Sequence, residues 1–127
     1  MPLDFGGGQL FQQVTAGKRF GLEAQDIIKI EYDFGSSATV TVYTVPTGKT
    51  LFLSQINLTN ITNDGTINVT ISYNDNTGNK KAVAVNSTEV ITFNSPLVLT
   101  SGQTIKVDPD TGSNGEDLDF LAIGWEI

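Results

Sequence analysis

The side chains that could do chemistry in this sequence are chiefly carboxylates. The chain of 127 residues contains fourteen Asp and Glu residues and seven Lys and Arg residues, and it contains neither Cys nor His. Without Cys there are no disulfides, thiolate nucleophiles or Cys metal sites. Without His the usual general base and the commonest metal ligand are missing. Paired carboxylates and oxygen-ligand cation sites remain as the chemistry to consider.

The densest group of carboxylates lies in a predicted loop, residues 108–117. Ca²⁺ takes about six to eight hard oxygen ligands, so such a loop is suitable material, with Asp108, Asp110 and Asp117 as the candidate ligands. The spacing misses the EF-hand pattern, because no acidic residue occupies the twelfth position in register. We therefore favour an ordinary solvated loop and predict no cofactor, with calcium binding as the alternative.

Two carboxylates on a β-sandwich could also hydrolyse a glycosidic bond. Such sites usually line a groove with aromatic side chains, whereas this chain has one Trp and three Tyr. Trp125 falls on the most apolar strand face of the sequence, where core packing is its expected use. We therefore predict a protein that is not an enzyme and has no catalytic residues. The same shortage of aromatic residues weakens a carbohydrate-binding interpretation without removing it.

Charge and glycine patterns argue against further classes of partner. A net charge of −7 opposes binding to nucleic acid or to an anionic membrane, and no apolar stretch approaches the roughly 20 residues of a membrane span. Gly6, Gly7 and Gly8 lack the Lys-Ser/Thr ending of a phosphate-binding loop, so we interpret them as a flexible linker. Lys18 and Arg19 form either a solvated pair, which we favour, or an anchor for an acidic partner.

The elements that position these residues are strands, because apolar and polar side chains alternate with period two from Ile27 onward. Residues 46–49 and 74–79 are predicted turns. Residues 19–28 are the single helix candidate, of one or two turns, and Gly21 weakens it. The predicted strands are residues 27–34, 38–45, 50–60, 67–73, 82–85, 89–93, 97–100, 103–107 and 118–127, where 89–93 and 97–100 form either one bent strand or two.

The pattern predicts an all-β fold: an antiparallel β-sandwich, and more specifically a jelly roll of about eight strands. We assign residues 27–127 to this sandwich domain and residues 1–26 to an extended N-terminal arm. In the last strand Leu121, Ile123, Trp125 and Ile127 share one face, whose first three residues we assign to the core. The predicted core residues are Ile28, Ile30, Val40, Val42, Leu53, Ile56, Ile67, Val69, Ile71, Val83, Val85, Ile91, Phe93, Leu97, Leu99, Ile105, Val107, Leu121, Ile123 and Trp125.

Three stretches resemble small β-sandwich proteins of tailed-bacteriophage particles. TVYTVPTGKTLFLSQINLTN (41–60) resembles their strand–turn–strand unit with Val-Pro-x-Gly-Lys at the turn. FNSPLVLTSGQTIKVD (93–108) resembles their later hairpin, Pro-Leu-Val-Leu-x-x-Gly-x-x-Ile, and LAIGWEI (121–127) resembles their closing strand. The resemblance covers roughly residues 38–127, and among such proteins the head decoration (cement) proteins fit best.

The resemblance implies a non-enzymatic structural protein that binds and stabilises the capsid exterior. It implies the major capsid protein as partner, self-association as a homotrimer, and a location in the virion at the capsid surface. Tail-fibre or receptor-binding proteins, which share these folds, and a carbohydrate-binding module are the alternatives. We expect contacts between subunits to use surface positions such as Thr39, Thr41, Tyr43 and Phe52.

The N-terminal arm combines apolar anchors with glycine. Its apolar groups are too many for a segment that stays in water, whereas three consecutive Gly residues disfavour a regular strand. We predict that the arm makes the attachment, either to a neighbouring subunit or to the capsid. The alternative is that residues 10–14 add an edge strand to the sheet of their own chain. The predicted binding residues are Leu3, Phe5, Leu10, Phe11 and Val14, with Lys18 and Arg19 at the base of the arm.

Overall fold

Period-two patterning produces eight strands in the part of the chain that the computed structural model describes, which is residues 26–61, 65–109 and 118–127. That part of the chain holds no helix, so it also holds none that is long and apolar enough to cross a membrane. The strands are β1 (Asp26–Asp33), β2 (Val40–Thr44), β3 (Thr50–Asn60), β4 (Ile67–Tyr73), β5 (Asn76–Val83), β6 (Ser87–Thr100), β7 (Thr104–Pro109) and β8 (Leu118–Glu126).

The strands form two antiparallel sheets of four strands each. The first sheet has the order β1-β8-β3-β6, and the second sheet has the order β2-β7-β4-β5. The pairs β1–β8, β2–β7, β3–β6 and β4–β5 are nested, as though one long hairpin had been rolled around an axis. This nested pairing across two sheets is the jelly roll, so the predicted fold class is confirmed.

The hydrophobic core lies between the two sheets. Period two places every second side chain of a strand on the inner face, and those side chains are aliphatic or aromatic along most strands. The largest fully buried side chains include Phe120, Leu51, Leu53, Ile56, Leu58, Ile67, Ile71, Ile105, Leu118, Val45, Val69 and Val83. Asn60 is also fully buried, and its amide nitrogen donates to the carbonyl oxygens of Gly65 and Val83, both at 2.9 Å.

The strand β5 begins well before the predicted residues 82–85, so the predicted turn 74–79 is too long. Asn74 and Asp75 have φ angles of 51° and 66°, which is the left-handed conformation of a two-residue hairpin turn. The chain therefore re-enters the sheet at Asn76 and pairs with β4. Val85, a predicted core residue, lies beyond the end of β5 and is 38% exposed. The sequence of β5 is mostly polar and does not alternate between apolar and polar residues, so the period-two pattern does not predict this strand.

Pro96 does not divide β6, which is one strand bent by an irregular register. Leu53 pairs with Leu97 and Gln55 pairs with Thr92, so four residues of β6 lie opposite the single residue Ser54. Pro is compatible with such a bulge because it has no backbone donor to lose there.

The helix candidate at residues 19–28 is wrong at its C-terminal end. Ile27 and Ile28 belong to β1 and pair with Trp125 and Gly124. The remainder of that candidate up to residue 25 lies outside the described residues. A strand replaces the helix here because pairing with β8 places Ile30 in the core, with 6% of its surface exposed.

Candidate binding surface

The two faces of β8 are both apolar, and the inward-facing set is not the predicted one. Leu118, Phe120 and Ala122 are buried between the sheets. Leu121, Ile123 and Trp125 point away from the core and are half-buried, so their assignment to the core is wrong. The physical reason is that alternation defines two sets of side chains without stating which set faces inward.

A row of four apolar side chains crosses the outer face of the first sheet. Ile27 of β1 pairs with Trp125 of β8, Trp125 pairs with Phe52 of β3, and Phe52 pairs with Val98 of β6. One residue from each strand thus contributes to what we call the apolar row. Ile27 is 76% exposed and Val98 is 49% exposed, whereas the two aromatic residues between them are half-buried.

Aromatic stacking fixes the centre of the apolar row. The rings of Phe52 and Trp125 are nearly parallel, with centroids 5.4 Å apart and planes 8° apart. This contact joins β3 and β8, the two central strands of the sheet. Because stacked aromatic pairs are worth about 0.5–1.5 kcal/mol beyond their area burial, the contact also stabilises the position of both rings.

A β-bulge beside the apolar row sets which residues of β3 face outward. The register of β3 shifts between Leu53 and Gln55 against both of its neighbours. The hydroxyl of Ser54 donates to the carbonyl oxygen of Ile123 at 3.0 Å, which satisfies an acceptor at the bulge. The amide of Gln55 donates to the side-chain oxygen of Asn57 at 2.8 Å on the same strand. Beyond the bulge the outer face of β3 therefore becomes polar.

The apolar character of this face extends from the row along β8. Ile123 and Leu121 follow Trp125 on the outer face, and Leu121 and Val90 flank Asn57 in a further register row. Val90 is 48% exposed. In an antiparallel sandwich the outer face of a central strand is ordinarily polar and solvated. An outer face that is apolar along β8 and across the row has the composition of a protein-binding surface.

The outer face of the second sheet is different, because it is polar. Thr41, Lys106 and Ser72 lie side by side across β2, β7 and β4. The Lys106 ammonium pairs with Asp75 at 2.5 Å, with both side chains substantially exposed. The contrast between the two outer faces marks the first sheet as the candidate binding surface.

Two tyrosines at the margins of the core hold their protons. The Tyr43 hydroxyl donates to the Glu126 carboxylate, and burial, this hydrogen bond and the nearby charge together raise the pKa of Tyr43 well above its ordinary value. The Tyr73 hydroxyl donates to the side-chain oxygen of Asn79 at 2.7 Å, and burial raises the pKa of Tyr73 likewise. Both phenols therefore serve as neutral hydrogen-bond donors in the folded protein, not as acid–base groups near neutral pH.

The structure locates some of the residues that the sequence singled out. Thr39 and Thr41 are exposed, Phe52 lies in the apolar row, and Tyr43 is directed towards Glu126. These four positions therefore do not form one surface. The predicted arm residues Leu3, Phe5, Leu10, Phe11, Val14, Lys18 and Arg19 lie outside the described residues.

The candidate calcium ligands are only partly within the described residues. Asp108 lies in β7 opposite Thr70, whereas Asp110 and Asp117 lie outside the described residues, between β7 and β8. Among residues 26–61, 65–109 and 118–127, no three acidic side chains lie together as a metal-binding group. A surface depression of about 310 Å³ at the far end of β1 and β8 is lined in part by Asp33 and Asp119.

Structural comparison finds similar folds in viral particles. No protein-family model and no curated protein matches the sequence. A chain from the acidic stable capsid structure of Helicobacter pylori bacteriophage KHP30 is similar over 81% of this chain and 87% of that one, with 12% identity and a TM-score of 0.54. At this level of identity the similarity establishes the fold alone.

Two further solved structures are similar. A chain from the virus-like particle of the giant freshwater prawn Macrobrachium rosenbergii extra small virus matches over 99% of this chain and 90% of that one, with 13% identity and a TM-score of 0.51. The catalytic domain of a GH87 α-1,3-glucanase in complex with nigerose matches at 13% identity with a TM-score of 0.40. This chain spans only 21% of the glucanase chain, and that similarity is too low to bear on function.

Proposed function

We propose that this protein is a non-enzymatic structural component of a bacteriophage particle. In this proposal it binds the capsid exterior as a decoration (cement) protein, with the major capsid protein as its partner and a homotrimer as its working form. The N-terminal arm, through Leu3, Phe5, Leu10, Phe11 and Val14, makes the attachment, either to a neighbouring subunit or to the capsid, with Lys18 and Arg19 available for acidic groups on the partner.

The observation that carries this proposal is the apolar row on the outer face of the first sheet. Trp125, Phe52, Ile27 and Val98 form a continuous row across four strands, and two of these residues are about half exposed or more. Burying such side chains contributes about 25 cal/mol for each Å² of apolar surface removed from water. A contact with another protein chain is the event that would remove this surface from water.

Two further observations support the same function. The jelly roll is similar to chains found in two viral particles, one of them a bacteriophage capsid. The sequence contains no His and no Cys and carries a net charge of −7, so the residue types suit a scaffold better than an enzyme or a nucleic-acid-binding protein. The sequence resemblance to decoration proteins supplies the specific role.

The direct test is binding to capsids that lack this protein. Purified chain is mixed with such capsids, and bound protein is measured after sedimentation together with the heat resistance of the particles. We expect saturable binding in multiples of three copies and particles that resist a higher temperature. Three linked weak contacts give much tighter attachment than one, so removing residues 1–20 should weaken binding by at least about tenfold.

Matched surface variants identify the face that is used. Val98→Lys places a charge in the apolar row, whereas Ala82→Lys places the same charge on the exposed face of β5 in the second sheet. We expect Val98→Lys to reduce trimer formation or attachment and Ala82→Lys to leave both unchanged. If the full-length chain neither forms a trimer nor binds the capsids, the decoration function is wrong.

A carbohydrate-binding function is the second candidate, because aromatic side chains on a sheet face can stack on sugar rings. The Phe52 and Trp125 rings stack on each other, however, so each has one face already occupied. A glycan array separates the two functions. Specific glycan binding that Trp125→Ala abolishes, together with failure to bind capsids, would favour the carbohydrate-binding protein.

A further inference from the structure

We infer that the apolar row of one subunit binds the N-terminal arm of the neighbouring subunit. The row is Ile27, Trp125, Phe52 and Val98, and the occupant is the segment 3–14 of a second copy. This inference deepens the proposed function and rests on its homotrimer, but it does not depend on the identity of the capsid partner.

The symmetry of a trimer requires two different contact surfaces. A twofold interface brings the same patch of both subunits together, whereas a closed ring of three copies uses heterologous contacts, in which one patch of each subunit meets a different patch of the next. Away from the threefold axis, the apolar row of one subunit therefore meets a different patch of the next subunit. A chain whose row lies away from the axis must supply a second apolar surface to cover it.

The arm is the part of the chain that has the composition of this second surface. Within residues 3–14 it carries Leu3, Phe5, Leu10, Phe11 and Val14. The described outer face of the second sheet is polar at Thr41, Lys106 and Ser72, so it does not provide an apolar partner for the row. The centre of a protein interface is typically made of aromatic and aliphatic side chains on both partners. The arm and the apolar row have this composition.

The position and length of the arm make the contact geometrically feasible. The described chain begins at Asp26, beside Ile27, so the arm departs from the sheet at the end that carries the row. Val14 and Asp26 are 12 positions apart in the sequence, and that length of chain can span at most about 40 Å. A domain of about 100 residues has a radius of gyration of about 13 Å, so that reach is sufficient to place residues 3–14 on an adjacent copy.

The anchors also lie far from the sheet in sequence, which favours a neighbour over the same chain. A segment that folded back over its own row would use the residues next to Asp26, namely Phe20 and Leu22. That arrangement would leave Leu3, Phe5 and Phe11 without an apolar surface. A neighbouring row accommodates them.

Disulfide trapping tests the contact directly, because the chain has no cysteine of its own. One tagged chain carries Val98→Cys, and an untagged chain carries a cysteine in place of Phe5, Leu10, Phe11 or Val14 in turn. The two single variants are mixed, oxidised and separated by size, and the linked peptides are identified by mass spectrometry. A disulfide requires Cα atoms within about 7 Å, so it reports direct contact. Since no chain carries both cysteines, each arm-to-row link must join two copies.

The matched control replaces Val98→Cys with Ala82→Cys, an exposed position on the second sheet. We expect links from at least one arm position to the Val98→Cys chain and at least tenfold fewer to the Ala82→Cys chain. No link to the Val98→Cys chain from any arm position, or equal links to both faces, would overturn the inference. A separate double variant carries Val98→Cys and one arm cysteine in the same chain. Linkage within this double variant, together with no link between the two single variants, would place the arm on its own sheet and would overturn the inference equally.

Intrinsic fluorescence gives an independent readout, because Trp125 is the single tryptophan of the chain and lies in the row. We expect its emission to shift to longer wavelength on dilution, as the trimer dissociates and the row meets water. Removal of residues 1–20 should produce the long-wavelength emission at every concentration. An emission maximum that is unchanged by both treatments would contradict arm binding.

These experiments use no capsid, so the outcomes for the two proposals can be separated. Arm-to-row links combined with a failure to bind capsids would contradict the decoration function and support the binding of the arm to the neighbouring row. Capsid binding combined with the absence of such links would support the decoration function and contradict the binding of the arm to the neighbouring row.

Discussion

Gly124 lies directly against the backbone of Phe52 in the neighbouring central strand. A Cβ atom on Gly124 would collide with the carbonyl oxygen of Phe52 and would lie 3.0 Å from the Cα atom of Leu53. Both contacted atoms belong to the backbone of β3, so no side-chain rotation can relieve the collision. The approach of β8 to β3, and with it the stacking of Trp125 on Phe52, depends on this glycine.

We expect Gly124→Ala to destabilise the protein by about 1–3 kcal/mol or more, the cost typical of overpacking, because the central strands must separate. Gly35→Ala is the control, since a Cβ there has no atom within 4 Å. Urea denaturation followed by circular dichroism measures both variants. Equal midpoints for the two variants would show that β3 and β8 adjust without cost.

Truncation of the two faces of the sandwich should have unequal effects. Ile71 is fully buried, so Ile71→Ala should cost about 2–5 kcal/mol through lost transfer energy and a cavity. Ile123 lies on the half-buried outer face of β8, so Ile123→Ala should cost less than about 2 kcal/mol in the isolated monomer. Urea denaturation at low protein concentration gives both values. A loss at Ile123 equal to that at Ile71 would contradict the assigned faces.

Asn60→Asp should be strongly destabilising near neutral pH. The buried amide donates to the carbonyl oxygens of Gly65 and Val83, and a carboxylate can donate to neither. Two unsatisfied acceptors and a buried charge should together cost at least about 3 kcal/mol. The loss should shrink as the pH falls, because a protonated carboxyl recovers one donor. Asn57→Asp is the control, since Asn57 accepts from Gln55 through an oxygen that the variant keeps.

Stability should fall at alkaline pH through Tyr43 and Tyr73. Burial, and at Tyr43 also Glu126, raises both pKa values above the ordinary 10.0, so the unfolded chain releases these protons first. The contribution of the two raised pKa values to the free energy of unfolding is complete below about pH 10. It is lost as the pH rises further, by at most about 1.4 kcal/mol per pH unit for each residue, and solvent screening makes this loss smaller. Urea midpoints measured across this range should decline less steeply for Tyr73→Phe than for the unmodified protein. Identical slopes would be inconsistent with a retained phenol proton.

The sequence is sufficient to predict the all-β class because alternation is clear in β1, β3, β4 and β7. It is insufficient for β8, where Leu118 and Phe120 on one face and Leu121 and Ile123 on the other are all apolar. Only the register of β8 against β1 and β3 decides which set is enclosed. The start of β5 likewise depends on its pairing with β4, since Asn76 and its neighbours carry no apolar pattern.

The apolar row could not be predicted from the sequence, for a related reason. Ile27, Phe52, Val98 and Trp125 are adjacent only because the register of three strand pairs aligns them. Alternation separates the two faces of a strand but contains no information about which residues of distant strands lie side by side. Phe52 is a predicted surface position, yet its stacking partner Trp125 is a predicted core residue, so the pair could not be recognised.

The nested strand pairing has a consequence for how fast this protein folds. The innermost pair joins Tyr73 to Asn76 across a two-residue turn, whereas the outermost pair joins Asp26 to Glu126, which are 100 positions apart in the sequence. Closing each longer loop costs additional chain entropy before its contacts form, and folds dominated by such distant contacts fold over about milliseconds to seconds. We expect refolding to begin at the β4–β5 hairpin and to end with the docking of β1. β1, which directly follows the arm in the sequence, is then the last strand to dock. We therefore expect the arm to bind another chain only after the rest of the domain has folded.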